Sequence, residues 1–433
     1  MLQTRLFLLL TTVVIFTTAC AGLASPTADT AAPDTTEAEQ AASENTEAAN
    51  SDTDAAPASD TTTSDTTEAP PEGFAKNGKP LLDDEPARPY AAYWKTDFSL
   101  HTVPFSEIFS GGVPRDGIPP IDNPSFVSVA DADEWLDDIE PVFALTIDGV
   151  SRGYPIQILT WHEIVNDTLN DVPVAVTFCP LCNSAVTFER TLNGTVHDFG
   201  VSGNLRNSDL IMWDRQTETW WQQLTGEGIV GELVGEQLTF VPTQLVSWAN
   251  FKEAFPEADV LSRETGHNRR YGSNPYRGYD SNPRPFLFDG TPDPRLAAVD
   301  RIIAVDLNGE AVAYPYNVLA EENVVADTVG GEDVVVFWET GTTSALDAGS
   351  IAGSRDVGAA TVYSPVLNGE ILTFSWNGSN FVDDQTGSTW NIFGKATDGE
   401  LAGQQLTAVN HANHFWFAWG AFKPETRVYS GGE

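Results

Sequence analysis

The sequence predicts a strand-rich α+β body made of two similar halves, and three observations lead there. The first is a repeat: Tyr154-Pro155 returns as Tyr314-Pro315, and at that offset of 160 the stretch Tyr154–Ala185 shares ten of its 32 positions with Tyr314–Ala345. Unrelated segments would share roughly two. The second is the run Val172–Phe178, apolar and rich in β-branched residues, which reads as a buried strand. The third is the order of elements in each copy, which reads as strand, turn, strand, short helix, strand, then further strands and a closing helix.

Taken in chain order, Phe143–Ile147 and Gly153–Ile156 flank Asp148-Gly149, a hairpin signal. In Ile158–Leu169 the residues Leu159, His162, Val165 and Leu169 follow helical spacing, so a helix is expected there. Val172–Phe178 is the buried strand, and Asn183–Arg190 also reads as β. Ser247–Phe255 reads as a helix stopped by Pro256. The repeat resumes at an offset of 168, where Gly231, Leu233, Gly235, Gln237 and Leu238 meet Gly399, Leu401, Gly403, Gln405 and Leu406. The unit is about 125 residues, a domain rather than a solenoid turn.

Before this body lie two segments of other character. Residues 1–19 have one charged side chain, Arg5, then an apolar run from Leu6 to Thr18, the pattern of a secretory signal peptide. Cys20 at the expected cut resembles a lipobox cysteine, so the chain is expected to be exported and held at the cell envelope through lipid on Cys20, outside the cytoplasm. Ala21 to about Pro71 carries eleven acids, no Lys or Arg and no aromatic residue. Such composition cannot bury enough apolar surface to offset chain entropy, and residues 20–79 are expected to be a disordered tether. The first repeat is assigned to 80–290 and the second to 291–433. Net charge is −40; without the tether's −11 and the +1 of Arg5, the body keeps −30. Nucleic-acid binding is excluded on that ground, because phosphate contacts need a basic face.

A repeat acts as its own control: positions needed for the fold recur, and positions serving a site need not. The Tyr-Pro, Gly and aliphatic positions recur, as does Asp214/Asp383. Four positions change: His162 becomes Glu322, Cys179 becomes Glu339, Cys182 becomes Thr342 and Arg215 becomes Asp384. Between Phe199 and Asp214 the first copy is also longer than the second is between Phe374 and Asp383, by six residues, which places the loop Gly203–Asp209 in the first copy alone.

The stretches WHEIVND (Trp161–Asp167), VTFCPLCNSA (Val176–Ala185), FGVSGNLRNSDLIMWDRQTETWWQQLTGE (Phe199–Glu227), YGSNPYRGYDS (Tyr271–Ser281) and FWFAWGAFKPET (Phe415–Thr426) together resemble the uncharacterised prokaryotic family known as domain of unknown function 3179. The resemblance spans roughly Pro80 to Tyr429 and implies no established activity.

Three chemistries are weighed for the residues found only in the first copy. A Cys-x-x-Cys turn can place two thiolates on one ion, with His162 as third ligand and His197, His411 or His414 as possible fourth; zinc or copper would suit such a set. Alternatively the pair could cycle between dithiol and disulfide outside the cytoplasm, although the β character of Asn183–Arg190 lacks the helix that such proteins place after the motif. The third reading is a non-catalytic surface protein, with Arg206, Asn207, Asp209 and Arg215 contacting a small-molecule or protein ligand. The nucleobase-deaminase pattern is rejected, since Glu163 directly follows His162 and Pro180 lies inside the cysteine pair. No nucleophile–base pair marks the chain as an enzyme.

Overall fold

The computed structural model describes residues 70–86 and 93–432. The signal peptide, Cys20 and nearly all of the acidic segment lie outside the described residues. No helix among the described residues is long and apolar enough to cross a membrane.

The architecture is α+β with strands in the majority. Pro141–Ile147 (β1) and Val150–Pro155 (β2) form an antiparallel hairpin. Asp148 and Gly149 both take positive φ at its turn, as a two-residue connection between twisted strands requires. Helix α1, Ile156–His162, follows at once and stops where Glu163 adopts φ 60°. The helix expected through Leu169 is therefore corrected: Ile164–Leu169 is a strand (β3), paired antiparallel with Val172–Cys179 (β4). Ile164, Val165 and Thr168 are β-branched, and pairing against β4 overrides the helical spacing of their apolar neighbours. Ser184–Glu189 (β5) pairs with β4 across the Cys-x-x-Cys turn.

Phe199–Arg206 (β6), Asp209–Asp214 (β7), Trp220–Gln222 (β8) and Glu227–Val230 (β9) make an antiparallel meander, with Ile108–Ser110 at its edge. Thr243–Ser247 (β10) returns to pair with β1. The helix expected at Ser247–Phe255 is found as Trp248–Ala254 (α2), capped by Ser247, whose hydroxyl accepts from the Asn250 N–H. Asp259–Leu261 (β11) then runs parallel to β2.

The second half repeats this order. Arg301–Leu307 (β12), Glu310–Pro315 (β13), helix Tyr316–Glu322 (α3), Val324–Val329 (β14), Glu332–Glu339 (β15) and Ala359–Ser364 (β16) follow one another. A shorter meander comes next: Phe374–Trp376 (β17), Phe381–Asp383 (β18), Thr389–Trp390 (β19) and Ala396–Asp398 (β20). His411–Phe415 (β21), helix Trp416–Phe422 (α4) and Arg427–Val428 (β22) close the chain. The pairings recur along with the order: β21 pairs with β12 and β22 runs parallel to β13.

The halves share their largest sheet, ordered β22-β13-β12-β21-β5-β4-β3 with Phe240–Val241 beside β5. Its seam is the bridge Asn413–Ala185, reinforced by the Phe415 N–H donating to the Cys182 carbonyl at 2.7 Å. One continuous core runs through it, from Phe178 and Phe188 in the first half to Phe415 and Trp416 in the second. The body also starts earlier than expected. Residues 74–80 belong to it rather than to the tether: Phe74 bridges Pro80, Ala75 is buried, and Lys79 pairs with Glu227 at 2.7 Å.

Candidate metal centre

Cys179 closes β4, and the Cys182 N–H folds back onto the Cys179 carbonyl at 3.2 Å. This turn brings both thiols to one point, where both are free and buried. The third member comes from elsewhere. β6 and β7 are joined at Asn207-Ser208, both at positive φ (52° and 68°), and the tight turn places Asp209 at the first position of β7. The Cys179 thiol faces the Ser208 carbonyl at 3.8 Å, and the Ser208 hydroxyl donates to the Phe286 carbonyl, which holds the hairpin tip down. One ligand atom each from Cys179, Cys182 and Asp209 then lie within 4.8 Å of one another. All three side chains are sealed from solvent, at 1%, 0% and 0% exposure.

Asp209 is held at one oxygen only. Its Oδ2 accepts from Gln222 Nε2 at 2.6 Å and from the Leu224 N–H at 3.0 Å, while Oδ1 is buried without a hydrogen-bond partner. Glu163, at the sharp end of α1, stands next to the group and is also buried. Burial pushes the Glu163 carboxyl up to about 8, with the charge of Asp209 adding to the effect. Burial likewise raises Asp209 to about 6, against the hydrogen bonds from Leu224 and Gln222. The Cys179 and Cys182 thiols are raised by burial, and the neighbouring Asp209 raises both further. Among the described residues no Lys, Arg or His forms an ion pair with Asp209 or Glu163. Four acidic groups thus share a buried site, and among the described residues none of them is ion-paired to a cation. A bound dication would reverse each of these shifts, since ligands bind it deprotonated.

Tyr276 and Tyr279, from the 271–281 stretch, stand beside the group. Burial first, then the charges of Glu163 and Cys179, raise the Tyr276 hydroxyl; burial and Cys182 do the same for Tyr279. Neither tyrosine nor Glu163 was singled out from the sequence as a member of the site. Glu163 carried a signal, because it becomes Asn323 in the second half.

The other expected ligands lie elsewhere. His162 has both ring nitrogens occupied: Nδ1 donates to the Pro119 carbonyl at 2.7 Å and Nε2 accepts from the Tyr271 hydroxyl at 2.7 Å. Burial lowers its pKa to about 4, so it is a neutral histidine tying α1 to two loops. His197 hydrogen-bonds Asp214 at 3.2 Å. His411 and His414 line a cleft beside β5 whose lining includes neither cysteine. The four polar residues proposed as one ligand site are also separated. Asp209 joins the thiols, Arg206 pairs with Glu107 at 2.7 Å, and Arg215 braces Asp116 and Asp122 at 2.9 and 2.8 Å. Asn207 supplies the turn.

The model of a protein family of unknown function, DUF3179, matches residues 115–426. No curated protein and no solved structure matches the chain. The match covers well over half of the sequence, and the chain belongs to that family.

Proposed function

We propose that this member of the DUF3179 family binds one divalent metal ion, zinc foremost, through Cys179, Cys182 and Asp209. One observation carries the reading: three buried donor atoms from two separate turns converge within 4.8 Å, and one of them, Asp209 Oδ1, has no other partner. Two thiolates with a carboxylate suit zinc; copper(I), the other metal considered, prefers softer company than a carboxylate. Glu163 is the residue placed to supply or position a fourth donor. Because all three donors are sealed from solvent, the group fits a closed centre that locks the two turns together better than a catalytic one, which keeps a position open to substrate.

The thiol–disulfide alternative is weakened by the same facts. Redox cysteines are exposed and have depressed thiol pKa values, whereas these two are sealed and raised. In this reading the centre belongs to an exported protein, tethered to a membrane through lipid on Cys20. Its support is the sequence alone: a charged start, an apolar run and a cysteine at the cut.

Elemental analysis of the body purified without chelator tests the centre. About one equivalent of zinc is expected, lost in Cys179→Ser and Asp209→Asn and retained in His162→Gln. A folded, metal-free wild-type protein would overturn the reading. Zinc that survives Asp209→Asn but leaves with His162→Gln would return the site to the ligand set expected from sequence.

A further inference from the structure

A cleft of ≈ 650 Å³ opens between the halves beside β5, lined by Ala185, Val186 and Thr187 from the first and Ala304, His411 and Ala412 from the second. Its walls hold an unusual number of unsatisfied polar atoms. Thr102 Oγ1, Thr187 Oγ1, Gln222 Oε1, His411 Nε2 and His414 Nδ1 all belong to lining residues, and each is buried without a hydrogen-bond partner. Thr187, Gln222 and His414 are each 1% exposed. An unpaired buried polar atom costs about 1–3 kcal/mol, and native structures keep few of them. Five around one cleft point to an occupant that could satisfy them.

The character of the walls restricts that occupant. His411 donates Nδ1–H to the Val409 carbonyl at 2.7 Å, which leaves Nε2 as an acceptor. Burial pushes His411 and His414 down to about 4 and about 3, so both are uncharged at neutral pH. Every cation on the walls is already neutralised: Lys79 by Glu227, Lys423 by Asp306 and Arg206 by Glu107. Phe240, Trp419 and Phe422 add aromatic surface, and His414 stacks on Trp419 with centroids 5.0 Å apart. Neutral donors and acceptors, cancelled charge and ring surfaces lie within a volume typical of small-molecule sites.

We propose that this cleft binds an uncharged, hydroxyl-rich small molecule, a neutral saccharide or cyclic polyol of one or two rings. The hydroxyls would pair with the Thr187, Gln222, His411 and His414 atoms, and the C–H faces would lie on the aromatic walls. This site is distinct from the metal centre, because neither cysteine lines the cleft. Gln222 and Leu224 touch both: Gln222 Nε2 and the Leu224 N–H donate to Asp209, while Gln222 Oε1 is unpaired.

Ligand-observed NMR and calorimetric titration of the folded body test the proposal, with glucose, maltose, N-acetylglucosamine and myo-inositol as neutral probes and glucuronate and glucosamine as charged controls. At least one neutral probe is expected to bind, with the charged controls at least about tenfold weaker. The isosteric Thr187→Val and the ring-conserving His414→Phe should each weaken binding about tenfold, the loss of one buried hydrogen bond. Thr187→Val keeps the test open should His414→Phe fail to fold. The proposal is overturned if no neutral probe binds, if a charged control binds as tightly, or if a folded variant binds like wild type. Titration of chelator-treated protein separates the two readings: saccharide binding without zinc supports the cleft whatever becomes of the metal centre.

Discussion

Cys179 and Glu339 occupy corresponding positions, at the ends of β4 and β15, and the contrast between them shows how a site can be added to a scaffold without rebuilding it. In the first half the end of the strand is a thiol sealed among Cys182, Asp209 and Glu163. In the second it is a half-buried carboxylate that accepts a hydrogen bond from Asn250. The supports around these positions are unchanged. Tyr154 donates to Asp167 at 2.6 Å and Tyr314 to Asp327 at 2.8 Å; Trp221 donates to Asp214 at 2.9 Å and Trp390 to Asp383 at 3.0 Å. What differs is a turn of four residues and the length of one hairpin. The β6–β7 hairpin reaches as far as Asp209, while its counterpart pairs only to Trp376 and Phe381. The hairpin that is six residues longer in the first half is what brings Asp209 to the two thiols.

The largest expected effect separates the halves by metal. If zinc is held at about a hundredfold above its dissociation constant, chelation should destabilise the body by about 2.7 kcal/mol. Denaturant unfolding with and without chelator measures this, and Glu339→Ala should leave the difference intact. A chelator-insensitive midpoint would remove the functional distinction between the halves.

A smaller effect tests their likeness. Tyr154→Phe and Tyr314→Phe each remove one hydrogen bond to a carboxylate, and each should cost about 1–2 kcal/mol. Urea midpoints that differ widely between the two variants would show that the shared pairs do different jobs.

The smallest effect concerns pH. Burial pushes the Glu339 carboxyl up to about 7, against the hydrogen bond from Asn250. The folded state therefore keeps a proton that the unfolded chain has released. The contribution is full below the ordinary value of 4.5 and is lost as pH rises through about 7. Glu339→Gln should flatten that part of the stability profile, and an unchanged slope would assign the decline to other groups.

Much of this was legible in the sequence where the signal was local. The hairpin at Asp148-Gly149 and the helix capped by Ser247 are dictated by turn and capping chemistry within a few residues. The stretch Ile164–Leu169 misled, because its apolar spacing suits a helix while its β-branched side chains and the partner strand β4 decide otherwise. The two cysteines were legible from spacing. Asp209 was visible as a first-half residue, yet its role as their partner depends on a hairpin register that no local pattern encodes. His162 matched the ligand expectation in residue type, but the Pro119 carbonyl and the Tyr271 hydroxyl, distant in sequence, claim both of its nitrogens.

The sheet in which β21 sits against β5 bears on any attempt to divide the protein. A chain cut in the largely exposed segment 282–300 would part the polypeptide while leaving that sheet and its core spanning both pieces. The two fragments should remain associated after such a nick. Either one expressed alone would present the bare edge of β5 or β21 to solvent, which invites aggregation. The halves are thus better treated as complementary fragments of one cooperative body than as a pair of modules to be studied apart.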